Sequence, residues 1–371
     1  MSYTCARNLA LLAALLSGFP AAAAAQNEDN TAYGTTAAEF LLFGAGARGT
    51  ALGGAFSAIA TDVSSLYYNP AGAALMPRAG AMVGTYDYVA ETRYSWGGIA
   101  FPFSGGSRAI GLQVGTFGFS DQPIYTVEQP EGTGALYSVS QTFAGITFAQ
   151  NFSDRFSAGF TAKGIFDQLG QASGSAFAVD FGTNFHASLG GHPIKFAFTI
   201  VNLGTNLSYS GEALNAETPR DPIPGQPTVP ETPQPSQFRT TGFNLPTTFR
   251  VGLAYDLLAG DNNRLTVISD FNQPNNSGAG FSAGGEWMTQ RLGGSNFGFA
   301  VRGSYSYSSA NNLDPIDVST TALRDEENLQ GLAMGGGLNY ASGDFGIGLD
   351  YAWKYLGVLG GTNFFSVSLG W

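Results

Sequence analysis

The chain has 371 residues, a formal net charge of −11 at pH 7 and one cysteine. An excess of acidic side chains disfavours nucleic acid as a partner, because carboxylates and phosphates repel each other. A single cysteine excludes a disulfide framework and a cysteine-ligated metal, and 12% charged with 13% aromatic residues favours a folded, rather apolar protein.

Residues 1–25 have the pattern of a secretory signal peptide. Arg7 precedes an apolar run from Leu9 to Leu16, and residues 21–25 form a small-residue cleavage region. The run is shorter than the about 20 residues that a helix needs to span a bilayer. We therefore expect export of the chain, without a transmembrane helix.

Residues 26–77 are predicted to form a separate amino-terminal segment, called the hatch below. Within it, residues 36–77 show no alternation of apolar and polar side chains, so short helices and turns are expected. Asp62 can cap a helix through Tyr67, and Pro70 ends that helix because the residue before a proline avoids helical geometry. The segment is too apolar for a free arm, so we expect it inside the barrel described next.

Residues 78–371 alternate with a period of two, as β-strands do. Most runs have roughly the 9–11 residues that a tilted membrane strand needs. The fourteen candidate strands are at 80–89, 93–103, 107–119, 135–150, 155–167, 174–188, 193–203, 246–258, 263–272, 279–289, 296–308, 329–341, 344–354 and 362–371.

The connections between these strands alternate in length. Six are short, at 104–106, 151–154, 190–192, 260–262, 293–294 and 342–343. The three longest, at 120–134, 204–245 and 309–328, fall at the other end of the strands. An even number of strands with short periplasmic turns and long extracellular loops is typical of outer-membrane barrels. The predicted fold class is all-β: a 14-stranded antiparallel transmembrane β-barrel, residues 78–371, with the hatch inside.

One face of the predicted strands is apolar and the other is small or polar. In one strand, Phe249 and Val251 alternate with Arg250 and Gly252. An arginine that faces lipid at mid-membrane costs about 2–4 kcal/mol, so Arg250 and Arg302 are expected to point into the lumen. The solvent face of a β-sandwich would carry more lysine, glutamate and threonine, which favours the barrel.

The last predicted strand ends on Trp371. A terminal aromatic residue on such a strand resembles the signal that the barrel-insertion machinery reads, so Trp371 is the expected contact with that machinery. Outer-membrane lipid is a second expected partner, and the bacterial outer membrane is the expected location.

Two long connections have unusual compositions. Loop 204–245 contains seven prolines between Pro219 and Pro235. This predicts an extended loop without strands, which is either mobile or a docking arm for an external partner. Loop 309–328 has five acidic residues against Arg324, which fits either a solvated loop or a cation site.

Charged side chains on the inner face and four residues of the hatch are the candidate site residues. An inner charge network that either holds the hatch or recognises a substrate is predicted. Its members are Asp180, Arg250, Asp256, Glu286, Arg302 and Asp350. Arg48 is expected to pair with lumen acids or to meet a ligand carboxylate. Asn69 and Pro70, followed by Ala71 and Gly72, either shape the junction between hatch and wall or only end a helix.

Patterns for catalysis are weak. Gly280 to Gly284 match the GxSxG nucleophile elbow, but this elbow needs a strand–turn–helix context and a histidine within reach. Gly44 to Gly49 fit GxGxxG without the βαβ unit of a dinucleotide site. Two histidines are too few for a convincing zinc site. The sequence therefore predicts no catalytic residue, no cofactor, no metal and no enzymatic activity.

Several motifs resemble those of a known family. They are Gly46-Ala47-Arg48, Gly53-Gly54-Ala55-Phe56, Thr61-Asp62 and Asn69-Pro70-Ala71-Gly72, with Asn202-Leu203-Gly204, Leu245-Pro246 and Asp350-Tyr351-Ala352 further along. Together they resemble the PorV/PorQ family within the FadL superfamily of outer-membrane barrels. Thr61 and Tyr68 depart from the family pattern, in which an acidic residue and a tryptophan are common.

The resemblance implies a fourteen-stranded barrel with an internal hatch and two candidate functions. Relatives of PorV work with the type IX secretion system and hold exported proteins by their carboxy-terminal signals at the cell surface. Relatives of FadL pass hydrophobic molecules such as fatty acids inward, through a hatch and a wall opening near the Asn-Pro-Ala segment. We expect docking or shuttling of exported proteins, with uptake of hydrophobic small molecules as the alternative.

Overall fold

The structure is a computed structural model that describes residues 34–218, 234–308 and 330–371. The predicted signal peptide, most of the proline-rich stretch and the acidic loop 309–328 lie outside the described residues. Strands dominate the described part, and no helix within it is long and apolar enough to cross a membrane.

Fourteen long strands form a closed antiparallel β-barrel, which confirms the predicted fold class. The strands β1–β7 and β11–β17 make up the ring; the first and the last pair with each other, and β5 pairs with β6. Their bounds are β1 (Gly80–Asp87), β2 (Arg93–Phe103), β3 (Arg108–Pro123), β4 (Leu136–Ser153), β5 (Phe156–Leu169), β6 (Ala172–Leu189), β7 (His192–Gly204), β11 (Thr248–Ala259), β12 (Asn263–Pro274), β13 (Gly280–Thr289), β14 (Phe297–Ser308), β15 (Leu332–Ser342), β16 (Phe345–Tyr355) and β17 (Gly361–Gly370).

The two ends of the barrel differ in their connections. At one end, called the short-turn end, brief turns join the strands, for example 190–191 between β6 and β7 and 343–344 between β15 and β16. The connections 124–135 and 205–247 lie at the opposite end, called the long-loop end. Short 3-10 helices in the connections are at Glu212–Leu214, Leu292–Gly294 and Gly357–Leu359.

Side chains alternate between the two faces of the wall as predicted. Large apolar side chains point outward, and Phe249, Leu349 and Phe365 expose 39%, 52% and 56% of their surface. Small and charged side chains occupy the inward positions, among them Arg250 and the buried Arg302. An outward apolar band is the surface that a lipid environment requires.

The connection between β7 and β11 contradicts the prediction that it is free of strands. It carries β8 (Tyr209–Gly211), β9 (Asn215–Thr218) and β10 (Gln234–Gln237). β8 pairs with β6, whereas β9 and β10 form a separate two-stranded sheet. Pro235 is tolerated in β10 because an edge strand has one side on which no backbone donor is needed.

The described part of the hatch, residues 34–77, lies inside the barrel. It consists of the helices α1 (Ala47–Ala51) and α2 (Ser65–Tyr68) and of 3-10 helices at Glu39–Leu42 and Pro70–Leu75. Its large apolar side chains are buried, as Phe40, Phe56 and Leu66 show. The small inward side chains of the wall leave the volume that this segment fills.

The hatch runs from one end of the barrel to the other. At the long-loop end, the Ala37 N–H donates to the Asn244 carbonyl oxygen at 3.0 Å, and at the short-turn end the chain continues into β1. The helix predicted through Tyr67 is observed at Ser65–Tyr68, and the Asp62 side chain accepts from the Ser64 N–H at 2.9 Å in the turn that leads into it.

Candidate functional site

Asn69 fixes the backbone where two short helices of the hatch meet. Its backbone is extended, at φ −160° and ψ 102°, as expected before Pro70. The side-chain oxygen accepts from the Ala71 N–H at 3.1 Å and caps the following 3-10 helix. The side-chain amide donates to the carbonyl oxygens of Ser57 at 2.9 Å and of Thr183 at 3.2 Å. One side chain thus joins two parts of the hatch to the wall.

Two facing glycines of the wall receive this segment. Gly159 in β5 and Gly182 in β6 are direct cross-strand partners. A Cβ at Gly159 would overlap the backbone of Pro70, and a Cβ at Gly182 would overlap the side chain of Asn69. The two glycines therefore let the hatch approach the wall at backbone distance. We call Gly159 and Gly182 the glycine seat.

The remainder of the Asn-Pro-Ala-Gly motif packs within the hatch. Pro70 is the first residue of its 3-10 helix, where a missing N–H leaves no hydrogen bond unmade. Ala71 is fully buried, and a Cβ at Gly72 would overlap the carbonyl oxygen of Ala60. These contacts are those of a junction between hatch and wall; a role of the motif in ligand passage stays a prediction.

A series of ion pairs links the hatch to β13, β14 and β16. Arg48 of the hatch donates two hydrogen bonds of 2.8 Å to Glu286 and one of 2.8 Å to Asp62. Arg302 donates to Glu286 at 2.6 Å and to Asp350 at 2.6 Å. The side chains of Arg302 and Glu286 are each 3% exposed. We call these five residues the ionic chain.

The charges of the ionic chain are balanced only as a set. Glu286 lies between two guanidinium groups, so loss of its charge would leave two cations without their shared partner. The Arg48 guanidinium is held by the carboxylates of Glu286 and Asp62. The Arg48 guanidinium also lies over the Phe56 ring, 5.1 Å from its centroid. Arg48 therefore stays charged and fixed in the hatch.

The ionic chain joins only some members of the predicted network, and Asp180 lies apart from it. This carboxylate pairs with Lys163 at 2.8 Å and accepts from the Asn202 N–H at 2.7 Å. Asn202 has φ 61° and lies where the pairing of β6 with β7 shifts. Alternation gives no sign of such a bulge, which turns an extra residue towards the lumen.

Arg250 is also outside the ionic chain, although it occupies an inward position. Its buried Nε has no hydrogen-bond partner among the described residues. Asp270 on the next strand accepts from the Ser57 N–H of the hatch at 3.2 Å and leaves its other oxygen unpartnered. Asp256 lies 3.9 Å from Arg264. Alternation predicts the inward face of these residues, whereas strand register selects their partners.

Serine hydroxyls of the wall hold the hatch on the side of the ionic chain. Ser366 in β17 accepts from the Ala47 N–H at 3.0 Å. Ser304 in β14 donates to the Ala51 carbonyl oxygen at 2.9 Å. Both bonds contact the ends of α1, where backbone groups lack partners within the helix. The helix is therefore held by β14 and β17 as well as by the ion pairs.

Five aromatic residues form a cluster in the lumen towards the long-loop end. The Phe43 ring centroid lies 4.9 Å from that of Tyr88, 5.0 Å from Phe117, 5.5 Å from Tyr94 and 6.2 Å from Tyr86. Tyr86 and Tyr94 are buried, whereas Phe43, Tyr88 and Phe117 keep part of their surface exposed. We call these residues the aromatic cluster. Its exposed part offers apolar contact to a ligand.

Sequence reasoning missed the aromatic cluster. Tyr86, Tyr94 and Phe117 occupy inward positions in β1–β3, the face for which small or polar side chains are predicted. Large aromatic residues at the inward positions of three consecutive strands are the sequence signal that would have revealed the cluster.

A model of an uncharacterised protein family, UPF0164, matches residues 14–172. This stretch includes the hatch and β1–β5. No curated protein matches the chain.

Two solved structures share the fold. The toluene transporter TbuX of Ralstonia pickettii is 11% identical, with a TM-score of 0.51 over 89% of this chain and 98% of that one. The toluene transporter TodX of Pseudomonas putida is 12% identical, with a TM-score of 0.50 over 88% of this chain and 96% of that one. At such low identity the likeness concerns the fold alone.

Proposed function

We propose that the protein is an outer-membrane channel that takes up hydrophobic small molecules. The observation that carries this proposal is the aromatic cluster, an apolar and partly exposed surface in the lumen. Binding pockets for small apolar ligands are concave and lined by aromatic side chains. The exposed parts of Phe43, Tyr88 and Phe117 provide aromatic surface for such a ligand.

The direction of uptake follows from the two ends of the barrel. In outer-membrane barrels the long loops are extracellular and the short turns are periplasmic. The aromatic cluster lies towards the long-loop end, so it meets ligands from outside the cell. The outward apolar band contacts outer-membrane lipid, and recognition of Trp371 by the insertion machinery stays a prediction.

Passage of a ligand requires the hatch to move. Beyond the aromatic cluster the lumen is filled by buried hatch residues, among them Leu52, Phe56 and Leu66, which are each 0% exposed. Phe43 belongs to the hatch, so a ligand that binds the cluster contacts the part that must move. A ligand shifts the equilibrium between the closed and the displaced hatch only by the difference between its affinities for these two states. Contacts of the ionic chain and of the glycine seat hold the hatch in its closed position. The difference in ligand affinity between the two states has to offset the free energy of these contacts.

Two independent likenesses support uptake. The fold is shared with two toluene transporters, and the hatch motifs resemble those of the PorV/PorQ family within the FadL superfamily, some of whose members pass hydrophobic molecules inward. The finer resemblance to PorV/PorQ has no counterpart among the solved structures described above. Docking or shuttling of exported proteins, the first expectation from the sequence, therefore stays a prediction.

Uptake of labelled toluene and labelled oleate by cells with and without the gene tests the proposal. We expect the uptake rate of at least one compound to fall on deletion and to recover with the wild-type gene. Phe43→Ala should fail to restore it, because the aromatic surface on the hatch is lost. Phe249→Ala, which removes an outward aromatic ring, is the matched control and should restore uptake fully.

Two outcomes would contradict the proposal. Unchanged uptake of both compounds on deletion removes its basis. If exported proteins that share one carboxy-terminal domain also disappear from the cell surface, the docking function takes its place.

A further inference from the structure

A cavity opens into the lumen at the long-loop end, between β12 and β16. Its volume is about 300 Å³, at the low end of the range for small-molecule pockets. Six polar side chains line it: Asn272, Ser282, Ser306, Ser308, Gln330 and Lys354. We call it the Lys354 cavity. None of these residues belongs to the aromatic cluster or to the ionic chain.

Strand register brings the hydroxyl groups of this cavity together. Ser282 in β13 and Ser306 in β14 are direct cross-strand partners. On the adjacent row, Gly280 lies between Asn272 and Ser308, and its missing side chain leaves room in the wall. Hydroxyl groups both donate and accept hydrogen bonds, and amides offer two donors and an acceptor. The lining is therefore suited to a ligand with several oxygen atoms.

Among the residues that the structure describes, Lys354 is the only positively charged one that lines the cavity. It occupies an inward position of β16, opposite Ala333 of β15. Among the described residues, it has no ion pair and no hydrogen-bond partner for its ammonium group. The carboxylate on the same strand, Asp350, is already bound by Arg302 at 2.6 Å. A partly buried cation without a partner favours an anion beside it.

The hatch contacts one of the residues that line the cavity. Ser306 donates to the carbonyl oxygen of Gly53, in the turn after α1, at 2.8 Å. The next residue, Gly54, has φ 80°, and a Cβ built there would meet no atom within 4 Å. The hatch turn therefore contacts a lining residue on one side and borders open space on the other.

We propose that the Lys354 cavity binds a compact monocarboxylate, with one carboxylate oxygen on the Lys354 ammonium group and the other on the serine hydroxyls. One cation matches one negative charge, which favours a carboxylate over a phosphate monoester with nearly two charges. The volume favours a compact acid over a long acyl chain. Asp270, which pairs in register with Ser282, is bound to Ser57 of the hatch and does not line the cavity.

This site goes beyond the uptake of neutral hydrophobic compounds. The aromatic cluster recognises apolar surface and lies on the hatch and the β1–β3 part of the wall, whereas the Lys354 cavity recognises charge and lies on β12–β16. The two sites therefore predict different ligands, and each can be tested without the other.

Calorimetric titration of the purified full chain in detergent, with benzoate and with benzamide, tests the proposal. Benzamide has nearly the shape of benzoate but no charge. We expect benzoate to bind the wild-type protein and benzamide to bind at least roughly tenfold more weakly, which is the size of a charge-assisted hydrogen bond. Lys354→Gln should reduce benzoate affinity by roughly the same factor, and Lys354→Arg should retain most of it.

Lys195→Gln is the matched control. Lys195 is also an inward lysine, but it lies in β7 near the short-turn end, so its substitution should leave benzoate binding unchanged. Migration of the unheated protein on a denaturing gel verifies that each variant remains a folded barrel.

Three results would overturn the inference: equal affinity for benzoate and benzamide, full benzoate affinity in Lys354→Gln, or no benzoate binding by the folded wild-type protein at millimolar concentration. None of them bears on the toluene assay. Loss of the site with gene-dependent uptake intact would refute this inference alone. Benzoate binding together with uptake of toluene and oleate that does not depend on the gene would refute only the proposed function.

Discussion

Glu286 is the residue on which the charge balance of the lumen depends most. It receives hydrogen bonds from Arg48 and Arg302 and is almost fully buried. Glu286→Gln keeps the shape of the side chain but leaves both guanidinium groups without a shared anion. Breaking a buried ion pair from one side costs about 3–5 kcal/mol. We expect a loss of that order in the free energy of unfolding, measured by urea titration of the protein in lipid vesicles.

An exposed ion pair provides the control for Glu286→Gln. Asp87 and Arg93 lie 2.7 Å apart at the start of the β1–β2 connection, with side chains 72% and 67% exposed. Asp87→Asn removes a carboxylate from this pair, where water solvates both partners, and should leave the unfolding midpoint unchanged. Equal midpoints for the two variants would show that the ionic chain does not stabilise the protein.

Single residues could be assigned to a face from the sequence, but not to a partner. Arg302 and Asp350 were predicted to point inward because lipid excludes charge, and they do. Asp180 was predicted in the same network, yet it binds Lys163 on the neighbouring strand β5 and accepts a hydrogen bond from the Asn202 N–H at the bulge. Lys354 lies on the predicted inward face, but it was not predicted as a site residue, because no motif or spacing in the sequence indicates a cation without a partner.

At the scale of elements, the contact of the hatch with β5 and β6 depends on the absence of two side chains. In Gly159→Ala, the new methyl group would overlap the backbone of Pro70 and Ala71, which cannot rotate away as a side chain would. Overpacking of this kind costs about 1–3 kcal/mol. We expect the hatch to shift and the mean ion conductance in planar bilayers to rise above that of the wild type.

Gly303→Ala is the appropriate control for this seat. Gly303 also lies within a barrel strand, β14, but a Cβ there would meet no atom within 4 Å. Its conductance should equal that of the wild type. If Gly159→Ala conducts no better than Gly303→Ala, the glycine seat does not hold the hatch in a closed position.

The predicted elements succeed where periodicity is strong and fail where it is absent. The strand predicted at 344–354 is observed at Phe345–Tyr355, because alternation persists over its whole length. β8, β9 and β10 were missed because strands of three or four residues are too short for a period to be recognised and because the prolines nearby argue for a loop. In the hatch, the short helices follow capping and proline rules, but their packing inside the barrel depends on tertiary contacts.

At the scale of the whole molecule, the outward apolar band defines which part of the barrel lies in lipid. Leu349, in the middle of β16, and Leu359, in the β16–β17 connection, are 52% and 54% exposed. Leu349→Lys should destabilise the protein in vesicles by about 2–4 kcal/mol, the cost of a cation near the bilayer midplane. Urea titration measures this loss.

Leu359→Lys should have little effect, because the long-loop end lies outside the apolar band. Comparison of Leu349→Lys with Leu359→Lys separates the cost of a cation in lipid from the cost of losing a leucine side chain, because the two leucines are almost equally exposed on the protein surface. Equal destabilisation of both variants would contradict the assignment of the band.

The closed barrel itself was predictable from strand number and connection lengths, whereas the aromatic cluster, built from a hatch residue and three strands, required the assembled structure.

The hatch also has a consequence for how the barrel forms. Closing the ring joins β1 to β17, the pair with the greatest sequence separation, and such contacts are slow because the entropy of loop closure is lost before they form. The hatch is continuous with β1, and its Ala47 N–H is bound by Ser366 of β17. Once the hatch has bound β17, the partner of β1 is already held nearby. The segment that closes the finished lumen thus also brings the first and the last strand together. This lowers the entropy that is lost when the ring closes.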